Sequence, residues 1–133
     1  MKIYIASTFR TDEQRLNVLR AAQIIDSIPQ GSLGLSEDGI SIRCEEKISA
    51  VVPMEFKVPR AWEIPNKEWA NIVMRNDIDS ISACDAVVLL YYGDHGATQP
   101  GTCFECGYAF AKGIPVIGVA MTREPVSLML GSA

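Results

Sequence analysis

The chain has one histidine, two tryptophans and four cysteines among its 133 residues, and no excess of positive charge. Each shortage excludes something. The one histidine, His95, sits beside Asp94 in a polar stretch; it offers a general base at most, and a lone loop histidine is ordinarily just solvated. A zinc site would need Cys44, Cys84 or His95 to join Cys103 and Cys106, at spacings that suggest no ligand set, so no metal is expected. A net charge of −4 and a pI near 4.9 argue against a nucleic-acid polymer as partner, which needs a basic face, but leave room for a single nucleotide. No apolar run approaches the length that crosses a bilayer, and the start, MKIYIASTF, has too short an apolar region for a signal peptide. No membrane partner and a cytoplasmic location are therefore expected, with the cysteines reduced. Repeats, low-complexity tracts and linkers are absent too, which predicts a single domain over residues 1–133.

What is present is organised around residues 84–119, CDAVVLLYYGDHGATQPGTCFECGYAFAKGIPVIGV. Residues 86–91 form a short, continuous apolar run rich in Val and Leu, the pattern of a strand buried on both faces of a parallel sheet. A polar loop, 92–100, follows. Gly101 and Thr102 then open a helix to about Lys112, which Gly113 ends and Pro115 keeps from continuing. Residues 114–119 read as the next buried strand. The unit is β-α-β, and its helix start lies at the carboxyl end of a strand, where open α/β sheets bind ligands.

Earlier in the chain, residues 2–6 alternate as a first, central strand. Thr11 with Gln14 makes a capping box for a helix whose buried side is marked by Leu16, Leu19, Ala22, Ile25 and Ile28, with Pro29 closing it. Residues 30–39 carry little signal, and a short strand is expected at 48–52. A second helix spans roughly 66–84. On it Trp69, Val73, Asp77 and Ile81 are spaced by four and share one stripe. Trp69, Val73 and Ile81 should face the core; Asp77 interrupts them, which is costly unless the carboxylate is paired or used.

Glu105 is the second carboxylate of interest. Thr102-Cys-Phe-Glu105 fits a capping box, in which the Glu only returns a hydrogen bond to the helix start. Alternatively, Glu105 and Asp77 converge on a cleft, where one carboxylate stabilises or attacks a sugar C1′ and the other handles the leaving group's proton. Cys103 and Cys106 form C-x-x-C at a helix start, a spacing used in thiol redox chemistry, although two small core residues would look the same. Ser7, Thr8 and Arg10 after the first strand offer hydroxyls and a guanidinium that can hold a phosphate, or else form a plain polar loop.

Taken together, KIYIAS, Trp69 with Arg75-Asn76-Asp77, the CDAVVLL strand, GTCFECGYAFAKGIPVI and PVSLM resemble the nucleoside 2-deoxyribosyltransferase family, including its branch of 2′-deoxynucleoside 5′-monophosphate N-hydrolases. The likeness spans residues 1–10 and 68–130. It implies a flavodoxin-like (Rossmann-type) three-layer α/β sandwich with a parallel sheet of four to five strands. Glu105 falls on the family's nucleophile, Asp77 on its acid and Tyr4 on the tyrosine near the nucleophile. Ser7, Thr8, Arg10, Gln99, Gly101 and Ser127 fall on substrate-binding positions, and no metal or organic cofactor is implied. The substrate implied is a small-molecule nucleoside or nucleotide. Where the transferases carry an Asp and an Asn, this chain has Gln99 and Ser127. Ser127, Thr8 and Arg10 fit the monophosphate hydrolases and Gln99 fits neither branch, which inclines the reading towards a 5′-monophosphate. Ser127 would act across an interface, so a homodimer or larger homo-oligomer is implied. Family members usually continue beyond the position of Ala133 into a last strand, so the sheet is expected to be a strand short or covered by a partner subunit. A nucleotide-binding protein without turnover is the reading from another class.

Overall fold

The computed structural model describes residues 1–31, 33–35, 41–43, 45–93 and 98–131. Cys44, Asp94 and His95 lie outside them, so the readings placed on those residues have no counterpart here.

Strand β1 (Lys2–Ser7) alternates as its sequence suggests and lies in the middle of the sheet. Helix α1 (Asp12–Asp26) starts with the expected box: Gln14 N–H donates to Thr11 Oγ1 at 3.1 Å while Gln14 Oε1 accepts from Thr11 N–H. A small antiparallel pair, β2 (Leu33–Leu35) and β3 (Ser41–Arg43), follows. Then come β4 (Ser49–Val51), short 3₁₀ turns at Pro53–Glu55 and Ala61–Glu63, and α2 (Asn66–Ser82). Strand β5 (Ala86–Tyr91), α3 (Pro100–Ala111), β6 (Val116–Ala120) and a final turn of helix, α4 (Leu128–Gly131), complete the order.

The main sheet is parallel throughout, in the order β4-β1-β5-β6. That is the flavodoxin-like order, with the first strand inside and a switch point between β1 and β5. Alternating side chains divide the core in two. Tyr4, Ala6, Val87, Leu89 and Tyr91 pack with Ile81 of α2 and Cys106 and Ala109 of α3. Ile5 and Leu90 point the other way, onto Val18, Ala22 and Ile25 of α1. Three layers result, as expected.

Two expectations about burial fail. On α1 the buried stripe is Val18, Ala22 and Ile25, whereas Leu16 and Leu19 are about half exposed. At 100° per residue Leu16 stands nearly opposite Val18, and the small Ala22 sits where the helix meets the sheet. On β6, Ile117 and Val119 are exposed rather than buried. They share the face of Val88 and Leu90, their cross-strand partners, but α1 lies over β1 and β4 and leaves the edge strand uncovered.

Candidate active site

Tyr4 is the floor of the site. It is fully buried in the central strand, on the face covered by α2 and α3. Its hydroxyl donates to Glu105 Oε1 at 3.0 Å, across 101 residues of sequence. Glu105 reaches this point because it lies in the second turn of α3, on the face turned towards α2. The capping-box reading of Glu105 is therefore wrong. Helix α3 begins at Pro100, whose missing N–H and fixed φ suit a first helical position, and its N-cap residue Gln99 makes no side-chain cap bond. Thr102 lies inside the first turn and is buried, and the carboxylate bonds to Tyr4 instead of the helix start.

Asp77 comes from α2. The stripe Trp69, Val73, Asp77 and Ile81 exists, but only Ile81 reaches the core; Trp69 is 43% exposed. All four line a cleft of about 210 Å³ between α2 and α3, together with Gly101, Phe104 and Glu105. This explains the polar residue within the apolar stripe: the stripe borders a cleft, and Asp77 looks into it towards Tyr4 and Glu105.

Electrostatics tie the three groups together. Burial pushes the Glu105 carboxyl up to about 7; the Tyr4 hydrogen bond opposes the rise and the Asp77 charge adds to it. Asp77 is raised too, chiefly by burial, against hydrogen bonds from Asn76 and Tyr4. Tyr4 is raised well above an ordinary phenol, first by burial and then by the two carboxylates. A tyrosine hydroxyl has one proton. Its hydrogen bonding favours the charged form of each carboxyl, against the burial that raises both. Two carboxyls in one partly dry cleft are thus both raised by burial, and the charge of Asp77 adds to the rise at Glu105.

The other sequence candidates divide. Gly101 lines the same cleft. Ser7 and Thr8 are buried at the carboxyl end of β1, and Thr8 Oγ1 accepts from Gln99 N–H at 3.0 Å, tying the first loop to the start of α3. Arg10 is exposed in that loop, and its guanidinium makes no ion pair among the described residues. Ser127 lies elsewhere, in a separate cavity of about 510 Å³ along the Cys103–Cys106–Phe110 side of α3. Within one chain it does not meet Glu105. Phe104 was missed by the sequence reading; its only signal was an aromatic residue beside Glu105 on a helix.

Cys84, Cys103 and Cys106 are reduced, outside any disulfide. Burial above all, with the neighbouring Glu105 and Cys103, pushes Cys106 up to about 12, the opposite of what a thiol-exchange cysteine needs. Among the described residues no three His, Cys, Asp or Glu side chains gather as a metal cage, and no helix is long and apolar enough to cross a membrane.

Comparison with known proteins bears on the family and the fold. A family model described as nucleoside 2-deoxyribosyltransferase matches residues 34–132, most of the chain. A 2-deoxyribosyltransferase from Bacillus psychrosaccharolyticus superposes with a TM-score of 0.76 at 25% identity, covering 99% of this chain and 81% of that one. A 2-deoxyribosyltransferase from Leishmania mexicana gives 0.58 at 20% identity, with 93% and 67% covered. A conserved protein from Enterococcus faecalis V583 gives 0.57 at 21%, with 89% and 62% covered. The last two likenesses speak for the fold alone. No curated protein sequence matches the chain.

Proposed function

The chain belongs to the nucleoside 2-deoxyribosyltransferase family, and on that premise we propose that it cleaves the N-glycosidic bond of a (deoxy)nucleoside 5′-monophosphate with Glu105 as nucleophile. The observation that carries this reading is the Tyr4–Glu105 hydrogen bond at 3.0 Å beside Asp77, in a cleft that raises both carboxyls. A poorly hydrated carboxylate is a good nucleophile, and Tyr4 fixes its orientation. A Glu105 oxygen bonds to C1′ as the C1′–N bond breaks, while Asp77 gives its proton to the departing base. Water then attacks C1′, Asp77 takes its proton, and the ester to Glu105 breaks. The oxocarbenium-like states on either side of the ester gain from two nearby carboxyl groups.

Support for a 5′-phosphate comes from the edge of the site. Thr8 and Gln99 meet at the N-terminus of α3, where N–H groups and the helix dipole favour an anion, and the exposed Arg10 guanidinium of the first loop makes no ion pair among the described residues. A neutral Gln99 tolerates a phosphate dianion that an Asp would repel. Ser127, which lines a different cavity from Glu105 within its own chain, is assigned to a second copy's site, which makes the enzyme a homo-oligomer. The family match and the 25%-identical transferase favour a second reading, in which another base rather than water resolves the ester.

The deciding experiment is base release from a panel of nucleosides and 5′-monophosphates, each with and without an acceptor base, with Glu105→Ala alongside. Free base from monophosphates without acceptor is expected, with a loss of more than about a thousandfold in Glu105→Ala. A new nucleoside formed only with acceptor would establish the transferase reading. Full activity in Glu105→Ala would end both.

A further inference from the structure

The cleft between α2 and α3 is also informative where it has no chemistry. Apart from Asp77 and Glu105, the described residues lining it are Gly101 and apolar side chains, with Phe104 on the α3 wall and Val73 and Trp69 on the α2 wall. Phe104 is 53% and Trp69 43% exposed, so two partly open aromatic side chains line the cleft that holds the carboxylates. Among the described residues lining the cleft, none carries an amide, hydroxyl or guanidinium side chain to read the edge of a heterocycle, and the Tyr4 hydroxyl below them is already bonded to Glu105. At about 210 Å³ it is smaller than cavities that enclose a whole drug-sized ligand, and suits one part of a substrate.

We infer that this cleft is the base subsite, that Phe104 stacks on any base, and that Trp69 selects for size by reaching only two-ring bases. The inference rests on the reading of Asp77 as the acid that meets the departing base. Trp69 stands eight residues before Asp77 on the same helix, a rise of about 12 Å. A single ring held at Asp77 falls short of that point, whereas the far ring of a purine approaches it. Aromatic stacking tolerates any base because every base has a π-face. An apolar wall likewise rejects wrong isosteres weakly. The subsite therefore distinguishes purines from pyrimidines by extent and barely separates members within either class.

The test compares kcat/KM for purine and pyrimidine substrates in the wild type, Trp69→Ala and Phe104→Ala, with the oligomeric state of each followed by sedimentation. Trp69→Ala is expected to lose about tenfold or more on purines and little on pyrimidines, while Phe104→Ala loses on both. Equal losses on both classes in Trp69→Ala would overturn the inference, as would a change of oligomeric state with unchanged selectivity, because Trp69 would then be an interface residue. A second measurement does not depend on turnover. In a Trp62→Phe, Glu105→Gln chain, Trp69 is the only tryptophan, and free purine base should quench its fluorescence at concentrations where free pyrimidine base does not. Quenching without base release from the wild type would keep the subsite and sink the proposed reaction; base release without purine quenching would do the reverse.

Discussion

Tyr4 decides how the two carboxyls behave. Its side chain is wholly buried, yet the hydroxyl does not remain idle in the core: it holds Glu105 at 3.0 Å and counts among the groups that lower the carboxyl of Asp77. Tyr4→Phe keeps the ring and removes the donor. Because that hydrogen bond holds Glu105 down, its loss should move the Glu105 titration upward from about 7, and kcat should fall while KM changes little. Carbon-detected NMR of the Glu105 carboxyl in both proteins would show it; an unmoved midpoint would mean that Tyr4 only fills space. The wild-type rate has its own signature. Chemistry needs one carboxylate and one carboxylic acid, so kcat/KM should be bell-shaped. Its alkaline limb should lie near 7, where the pair loses its last proton, and its acid limb where both groups become protonated. Assays between pH 5 and 9 suffice, and a rate rising steadily to pH 9 would contradict the need for one protonated carboxyl.

At the scale of elements, two threonines at loop ends make opposite predictions. Thr11 caps α1, which carries none of the proposed chemistry, so Thr11→Ala should cost about 1 kcal/mol of stability and leave kcat/KM unchanged. Thr8 accepts from Gln99 N–H at the start of α3, the helix that carries Glu105. Thr8→Val strands that donor, which should cost about 1–3 kcal/mol and also reduce kcat. Urea unfolding and steady-state kinetics on both variants separate the two cases. The same contrast shows what the sequence revealed. Capping boxes are local: the one at Thr11 formed because Thr, Gln and helix start lie within three residues, and β5 was legible because its run is apolar throughout. The lookalike at Thr102 failed because a contact 101 residues away, with Tyr4, outcompeted the local one. The short β2–β3 pair carried no readable period. Leu16, Leu19, Ile117 and Val119 misled because hydrophobicity marks what is able to be buried, while coverage depends on which helix crosses which strand. Asp77 was the most legible residue of the candidate site for the converse reason: a carboxylate in an apolar stripe requires an explanation even before the fold is known.

The molecule as a whole bears a cost for this arrangement. Glu105 in the folded chain has a carboxyl raised from 4.5 to about 7, so the folded state binds a proton more tightly than the unfolded chain. The sign follows: the stability associated with protonated Glu105 is fully present below about pH 4.5 and declines as pH rises towards 7, where the folded chain must accept a poorly solvated charge. A shift of this size corresponds to at most about 3 kcal/mol, less whatever solvent reaches the cleft. Glu105→Gln keeps the shape and an acceptor for Tyr4 but never ionises. It should therefore unfold like the wild type near pH 4, become progressively more stable than the wild type from pH 5 to 7, and hold a constant advantage above that, while losing base-releasing activity. Denaturant unfolding at fixed protein concentration and pH 4, 6 and 8 measures the difference directly. A substitution that stabilises the fold and abolishes activity is expected where function has kept a charge that folding alone would discard. If the Gln variant is less stable than the wild type at pH 8, the Glu105 carboxylate is a structural anchor, and its hydrogen bond to Tyr4 serves the core rather than catalysis.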